Sequence, residues 1–420
     1  MKQVISLLPG VTLRCVPGNK FKQSCLTVQF LRPMRREEAA MNALLPAVLL
    51  RGCRRYPDLR AITLRLDDLY GASVGALVRR VGDYQVTGFY CGMIEDRFTM
   101  DGDEVLAPMI DLVRQLLLEP VLVEGGFDPE YVQSEKKNLI ATIESRLNDK
   151  RAYAMDRLLS SMCAGDAFGI PRLGEKEKVA EIEPKELYNH YRKILRESPV
   201  ELCYVGSAQP ETVAQLLRQV LDFPREPIAL PAQTEFHGGP GKDFTEQMDV
   251  NQGKLCMGFV TPIHIRSREF VAMQVLNMVF GGGMTSKLFM QIREKMSLCY
   301  AIGSGYHGSK GILTVSAGID SNLADTVKKE ILAQLDACRQ GKITQQELDA
   351  AKQALCSGLR ATYDSPGAIE NYLSSAALSG LSLSPNEYLR EVECTDLAQV
   401  VAAANSLQLH TTFFLQGVSA

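Results

Sequence analysis

The residues that could hold a metal or attack a carbonyl are few in this chain, and they lie far apart. Five histidines occur, His190, His237, His264, His307 and His410. No two fall within a helical turn of each other, the spacing that would aim two imidazoles at one zinc ion. Eleven cysteines run from Cys15 to Cys394 without a Cys-x-x-Cys pair. An odd and dispersed set signals neither a zinc knuckle nor a disulfide framework, and reads as buried reduced thiols. The acidic pairs Asp67-Asp68 and Glu95-Asp96 leave two readings open, a relocated metal site or solvated turns and helix caps.

The densest run of chemically useful residues is Val279 to Tyr300, VFGGGMTSKLFMQIREKMSLCY. Gly281, Gly282 and Gly283 give an open-backbone turn, Lys287 to Lys295 reads as a helix, and Thr285 or Ser286 can cap that helix. A Gly-rich turn feeding a helix can cradle phosphate, but the strand and GxxxxGK[ST] context of a phosphate loop is missing. Arg293 and Tyr300 can both donate to a peptide carbonyl or to an oxyanion developing from it. The plainer alternatives pair Arg293 with a carboxylate on the helix surface and bury Tyr300 in a strand core.

These residues sit on a chain organised as two similar halves. Phe223 to Gly241 gathers four prolines and three glycines, which reads as a linker, placed at 226-242 between an N-terminal domain 1-225 and a C-terminal domain 243-420. Each half begins with β-rich segments, Val11 to Val16 and Cys25 to Leu31 in one and Lys254 to Val260 in the other. A long apolar helix comes after them, Glu37 to Leu50 or Ser267 to Phe280. Further strands come next, Ser73 to Val81 with Tyr84 to Met93, and Leu298 to Tyr306 with Gly311 to Gly318. Long helical stretches open after Phe127-Asp128 and Ile343-Thr344, and they carry Leu159-Ser160-Ser161 and Leu373-Ser374-Ser375 at matching places. Each half closes with a helix and a strand ending in glycine, at Gly206 and Gly417. The pattern predicts an α+β fold, two duplicated domains each with helices on one face of a mainly antiparallel sheet. Two unrelated domains of similar composition are the alternative.

Composition narrows the function classes. With 420 residues, 46% of them hydrophobic, the chain is long enough for two or three domains of about 150 residues each, and disorder is excluded. Its 46 Lys+Arg against 49 Asp+Glu give a net charge of −3. No global basic field therefore favours nucleic acid or an anionic membrane as partner. The best apolar stretch, Ala43 to Leu50, is closed by Arg51 and is far short of the ~20 residues that span a bilayer. The start, MKQVISLLPG, has no small-residue cleavage site, and a cytoplasmic protein is expected.

The Gly281 to Tyr300 segment closely resembles the C-terminal-half signature of the insulinase/pitrilysin superfamily of zinc peptidases, which includes mitochondrial processing peptidase. That signature is a Gly-rich turn, then Ser-[Arg/Lys]-Leu-Phe and Ile-Arg-Glu-Lys-x-x-Leu-x-Tyr. Glu186-Leu-Tyr-Asn-His-Tyr through Tyr204-Val-Gly206 resembles the segment closing the family's first domain, and the duplicated plan is the family's architecture. The resemblance implies that Arg293 and Tyr300 reach bound peptide. It also implies a helix bearing His-x-x-Glu-His before a basic-Gly-small turn. Here that turn is Leu50-Arg51-Gly52-Cys53, and the three positions fall on Ala43, Pro46 and Ala47. The distal ligand position falls on Thr142. None of the four can bind zinc, and Pro46 threatens the helix itself, at about 3 kcal/mol for an interior proline.

The expectation is a member without metal or other cofactor, similar to the bacterial zinc-less type, some of which are associated with modification of elongation factor P. Two-chain members divide the labour, so the implied partners are a zinc-bearing homologue and a peptide substrate, with assistance in trans from Arg293 and Tyr300. A purely structural subunit, as in the family's inactive members of respiratory complexes, and a peptidase with an unconventional metal site are the alternatives.

Overall fold

The computed structural model describes residues 3–221, 223–236, 239 and 241–417. His237, Gly238 and Pro240 of the expected linker lie outside the described residues. The rest of that stretch, from 223 to 242, has no regular structure, as its prolines require.

Two compact units are formed, and they are not two contiguous halves of the chain. The first comprises Met1–Glu144, Ile170–Ala232 and Tyr363–Ser375, and the second Ser145–Gly169, Gln233–Thr362 and Ala376–Ala420. The expected ranges 1-225 and 243-420 treat each domain as one contiguous stretch. Each unit takes one helix-bearing segment from the other half of the sequence.

In the first unit the strands are β1 (Gln3–Leu8), β2 (Val11–Pro17), β3 (Gln23–Pro33), β4 (Ser73–Val81), β5 (Tyr84–Ile94), the small hairpin β6 (Leu122–Val123) and β7 (Gly126–Phe127), and β8 (Val200–Gly206). The main sheet has the order β1-β2-β8-β3-β5-β4. Only β2 and β8 run parallel within it. In the second unit β9 (Asp243–Met248), β10 (Gly253–Val260), β11 (Ala301–His307), β12 (Ile312–Ile319) and β13 (Gln408–Gly417) form a sheet ordered β11-β12-β10-β13-β9. Here only β9 and β13 are parallel. Read from its other edge, that order is β9-β13-β10-β12-β11, which matches β2-β8-β3-β5-β4 strand for strand, parallel pair included. The duplication seen in the sequence is a duplication of topology.

The main helices lie on one face of each sheet, as the pattern predicts. In the first unit alternate residues of β3, Leu26, Val28 and Phe30, join one continuous core with Leu44, Val48, Met109, Leu187 and Leu217 from the helices. The opposite face of β3 is buried as well. There Cys25, with Cys203 and Val205 of β8, packs against Ile369 and Leu373 of the helix Pro366–Ser379. In the second unit Cys256, Phe413 and Leu415 pack against Ala154 and Leu158 of the helix Lys150–Met162. Leu159-Ser160-Ser161 and Leu373-Ser374-Ser375, matched in the sequence, thus lie on helices with the same task. Each buried Leu or Ile removes apolar area worth roughly 1.5–3 kcal/mol.

Local signals explain the element ends. Asp128 accepts from Glu130 N at 2.8 Å at the start of the helix Pro129–Ser145. Thr344 and Glu347 close a reciprocal capping box on the helix Gln345–Ala361.

Candidate functional site

The helix that would carry metal ligands is Arg36–Leu49, and it is intact. Ala43 is buried at 5% exposure, Pro46 is buried and Ala47 half-buried. Pro46 does not break the helix, contrary to the sequence expectation. A proline at this position cannot donate to the carbonyl of Asn42, four residues back. The Thr87 hydroxyl of β5 donates to that carbonyl instead, at 2.7 Å, and leaves no orphaned acceptor.

The polar groups around this helix are committed to one another. Asn42 Nδ2 donates to Gln85 Oε1 at 2.8 Å, its Oδ1 lies 2.7 Å from His190 Nε2, and Gln85 Nε2 donates to the carbonyls of Ala39 and Arg172. Burial pushes the His190 imidazole down to about 4. Next to it Arg32 and Glu38 form a buried ion pair at 2.9 Å, extended by Lys193 to Glu38 at 2.7 Å. Burial opposes ionisation of Glu38, but Lys193 and Arg32 hold its carboxyl below the usual range. Thr142 is exposed on the helix Pro129–Ser145 and donates to the Asn138 carbonyl at 2.8 Å. Glu135, two turns earlier, pairs with Arg51 at 3.3 Å.

Among the described residues no group of three His, Cys, Asp or Glu side chains could hold a metal ion. Glu95 accepts from Ser207 N at 3.0 Å, and Asp96 caps Val105 and Leu106 at 2.9 and 3.2 Å. That acidic pair is structural. Ser73, in the run Gly71-Ala72-Ser73-Val74-Gly75, has the letters of a nucleophile elbow. It opens strand β4 instead of a strand-to-helix turn, and its hydroxyl reaches only Gly92 O at 3.4 Å.

In the second unit the glycine turn comes after the helix Phe270–Phe280 and precedes a π-helix, Leu288–Lys295. Met296 N donates to Gln291 O at 3.0 Å, an i→i−5 bond; such wide turns are rare and concentrate at functional sites. Ser286 Oγ accepts from Phe289 N at 3.4 Å, while the N-cap position is Lys287, whose side chain makes no capping bond. Gly281 is required by proximity. Its carbonyl accepts from Ser304 N at 2.9 Å, and a Cβ there would lie 2.7 Å from Ser304 Oγ.

Arg293 and Tyr300 lie at the two ends of the segment joining this helix to β11. Arg293 stacks 4.6 Å from the Phe289 ring centroid, with Glu294 at 3.7 Å. Tyr300 is 56% exposed, so it is not a strand-core residue, and its hydroxyl donates to Asp320 Oδ1 at 3.2 Å. Around them Met284, Met290 and Met296 are exposed, which makes this surface flexible and apolar as well as cationic.

The sequence reading missed a hollow in the second unit. It has a volume of about 420 Å³ and is lined by Arg151, Asp149, Gly303, Gly305, Thr314 and Ser316, among others. The two glycines were its only sequence signal, since glycine inside a strand often marks a close approach by a ligand or another backbone.

Comparison with known proteins gives this geometry a context. Residues 181–355 match the family model described as Peptidase M16 inactive domain. The chain is 29% identical over 411 residues to "Probable inactive metalloprotease YmfF" of Bacillus subtilis (strain 168), covering 97% of this chain and 96% of that protein. Among solved structures, a conserved protein from Enterococcus faecalis V583 superposes with a TM-score of 0.91 at 29% identity, covering 100% of this chain and 99% of the other. A peptidase M16 inactive domain from Pseudomonas fluorescens has the same fold, with a TM-score of 0.82 at 18% identity, covering 100% of this chain and 98% of the other.

Proposed function

Because the chain is an inactive-type member of the insulinase/pitrilysin (M16) peptidase family, we propose that it is a non-catalytic subunit that pairs with a His-x-x-Glu-His homologue and helps to bind and orient peptide. The observation that carries this reading is a contrast between the two units. At the four metal positions Ala43, Pro46, Ala47 and Thr142 offer no zinc donor, and the surrounding polar groups are tied into a network of their own. Zinc does not fit these residues. In the second unit, by contrast, Arg293 and Tyr300 remain at the surface, on the Gly-turn and π-helix segment.

Under this reading Arg293 and Tyr300 donate hydrogen bonds to a substrate carbonyl, while hydrolysis belongs to the partner chain. The turn Gly281 to Gly283 shapes the surface beside them. Among the described residues no helix is long and apolar enough to cross a membrane. A cytoplasmic heterodimer fits the reading, and elongation factor P peptides, suggested by the associations of similar zinc-less relatives, belong among the substrates to be tried.

The test mixes the purified chain with a candidate His-x-x-Glu-His partner and monitors cleavage of a fluorogenic peptide library. Cleavage above that of the partner alone is expected, with a drop of about 10-fold for Arg293→Ala, the loss of one charge-assisted donor. Tyr300→Phe should lower it by a smaller factor. A pair that forms but cleaves no faster than the partner alone would instead mark a structural subunit.

A further inference from the structure

The floor of the hollow in the second unit includes two strand positions without side chains, Gly303 and Gly305. On β11 residues 303 and 305 point to one face, and their cross-strand partners on β12 are Ser316 and Thr314. Glycine inside a strand is unfavourable by roughly 0.5–1 kcal/mol relative to alanine. Neither glycine is required by the local packing. A Cβ at Gly303 would come no closer than 3.4 Å to any atom, one at Gly305 no closer than 3.7 Å, and neither has a left-handed backbone. Above these positions lies an open hollow of about 420 Å³, which falls within the range of small-ligand sites.

The wall above this floor carries an unneutralised cation. Arg151, near the start of the helix Lys150–Met162, donates from Nε to Ser316 Oγ at 3.1 Å. It forms no ion pair among the described residues, whereas Arg146 of the same wall is matched with Asp156 at 2.7 Å. Lys254 faces the same side of the sheet, next to Gly318. Burial and the Arg151 charge together lower its affinity for a proton. Two cations therefore lie on one face, with the Asp149 carboxylate and the hydroxyls of Thr314 and Ser316 beside them.

We propose that this hollow is a binding site for a carboxylate group, held by the Arg151 guanidinium over the Gly303–Gly305 floor. A guanidinium fork matches a planar carboxylate with two parallel hydrogen bonds. Asp149 also lines the hollow and already accepts from Arg151 N and Ala152 N at 3.1 and 3.0 Å. It satisfies the helix start that would otherwise attract phosphate, and its charge opposes a dianion more than a monoanion. The carboxylate can come from a small free acid or from the end of a peptide, and the site stands whether or not the chain pairs with a metal-bearing partner.

Titration calorimetry on the full chain separates these cases, using butyrate, N-acetyl-alanyl-alanine, the amide of that dipeptide and inorganic phosphate as probes. The dipeptide acid is expected to bind at least 10-fold more tightly than its amide. Arg151→Gln should weaken the acid at least 10-fold, and Gly305→Val should abolish binding by filling the floor, with the melting temperature of each variant checked. Butyrate binding as tightly as the dipeptide acid supports the carboxylate site and assigns a free acid; a 10-fold preference for the dipeptide acid supports it and assigns a peptide end. Equal binding of acid and amide, tighter binding of phosphate, no binding of any carboxylate, or an Arg151→Gln variant that binds like the parent overturns the proposal.

Discussion

Asn42 is the hub of the polar network beside Ala43, Pro46 and Ala47. Its carbonyl, freed by Pro46, is held by Thr87, and its side chain joins Gln85 to His190. The window around Ala43, Pro46 and Ala47 is a closed set of neutral hydrogen bonds beside the Arg32–Glu38 ion pair, with His190 at 7% exposure. That closure makes stability depend on pH. His190 titrates near 4 when folded and at 6.5 in its unperturbed form. Between those values the unfolded chain binds the extra proton, so this contribution is complete above about pH 6.5 and is lost as pH falls toward 4. Each unit of that displacement corresponds to about 1.4 kcal/mol. Urea unfolding at a series of pH values should show the parent losing stability from pH 6.5 to pH 4, and His190→Asn losing distinctly less. Parallel curves for the two proteins would rule out His190 as the origin. That Ala43, Pro46 and Ala47 carry no zinc-donor side chain is plain from the sequence, because zinc donors are a short list. The Thr87 rescue was not, since it joins residues whose proximity only the β5 register creates.

The helix Pro366–Ser379 shows how an element is addressed to a particular surface. Glu370, with no exposed area, receives Arg79 at 2.9 Å, Thr27 at 3.1 Å, Gln29 at 2.9 Å and Ser374 at 2.9 Å. A carboxylate buried to this degree is tolerated only when it is paired and hydrogen-bonded on both oxygens. Removing it strands the Arg79 guanidinium, so Glu370→Ala should cost about 3–5 kcal/mol. Glu393→Ala, which loses only an exposed contact with Arg360 at 3.5 Å, should cost under about 1 kcal/mol. Chemical denaturation of the two variants measures the contrast, and equal losses would show that Glu370 is not the anchor. Capping and alternation, read locally, located the helix starts at Thr344 and Asp128 and most strands. They could not tell that Glu370 would meet β3, or that Leu288 to Lys295 would widen into a π-helix. The first outcome depends on partners distant in the chain. Strands β1 and β9 also escaped notice, being edge strands with mixed burial.

At the scale of the whole molecule, the exchange of segments sets what can fold alone. A cut after Ala232 falls within the proline-rich stretch and, on sequence grounds, separates two domains. It would leave the first unit without Tyr363–Ser375 and the second without Ser145–Gly169. The first fragment would expose Cys25, Cys203 and Val205 and leave Arg79 without its carboxylate. The second would expose Cys256, Phe413, Leu415 and Ile312. Exposed apolar sheet faces of this kind favour aggregation over a cooperative fold. Fragments 1–232 and 233–420 made separately should therefore be insoluble or lack a cooperative thermal transition. A first fragment carrying residues 363–375 on a flexible tether should recover one, and Glu370→Ala in that tethered segment should remove it again. A sharp transition for either plain fragment would mean that the exchanged helices cover surfaces already stable without them.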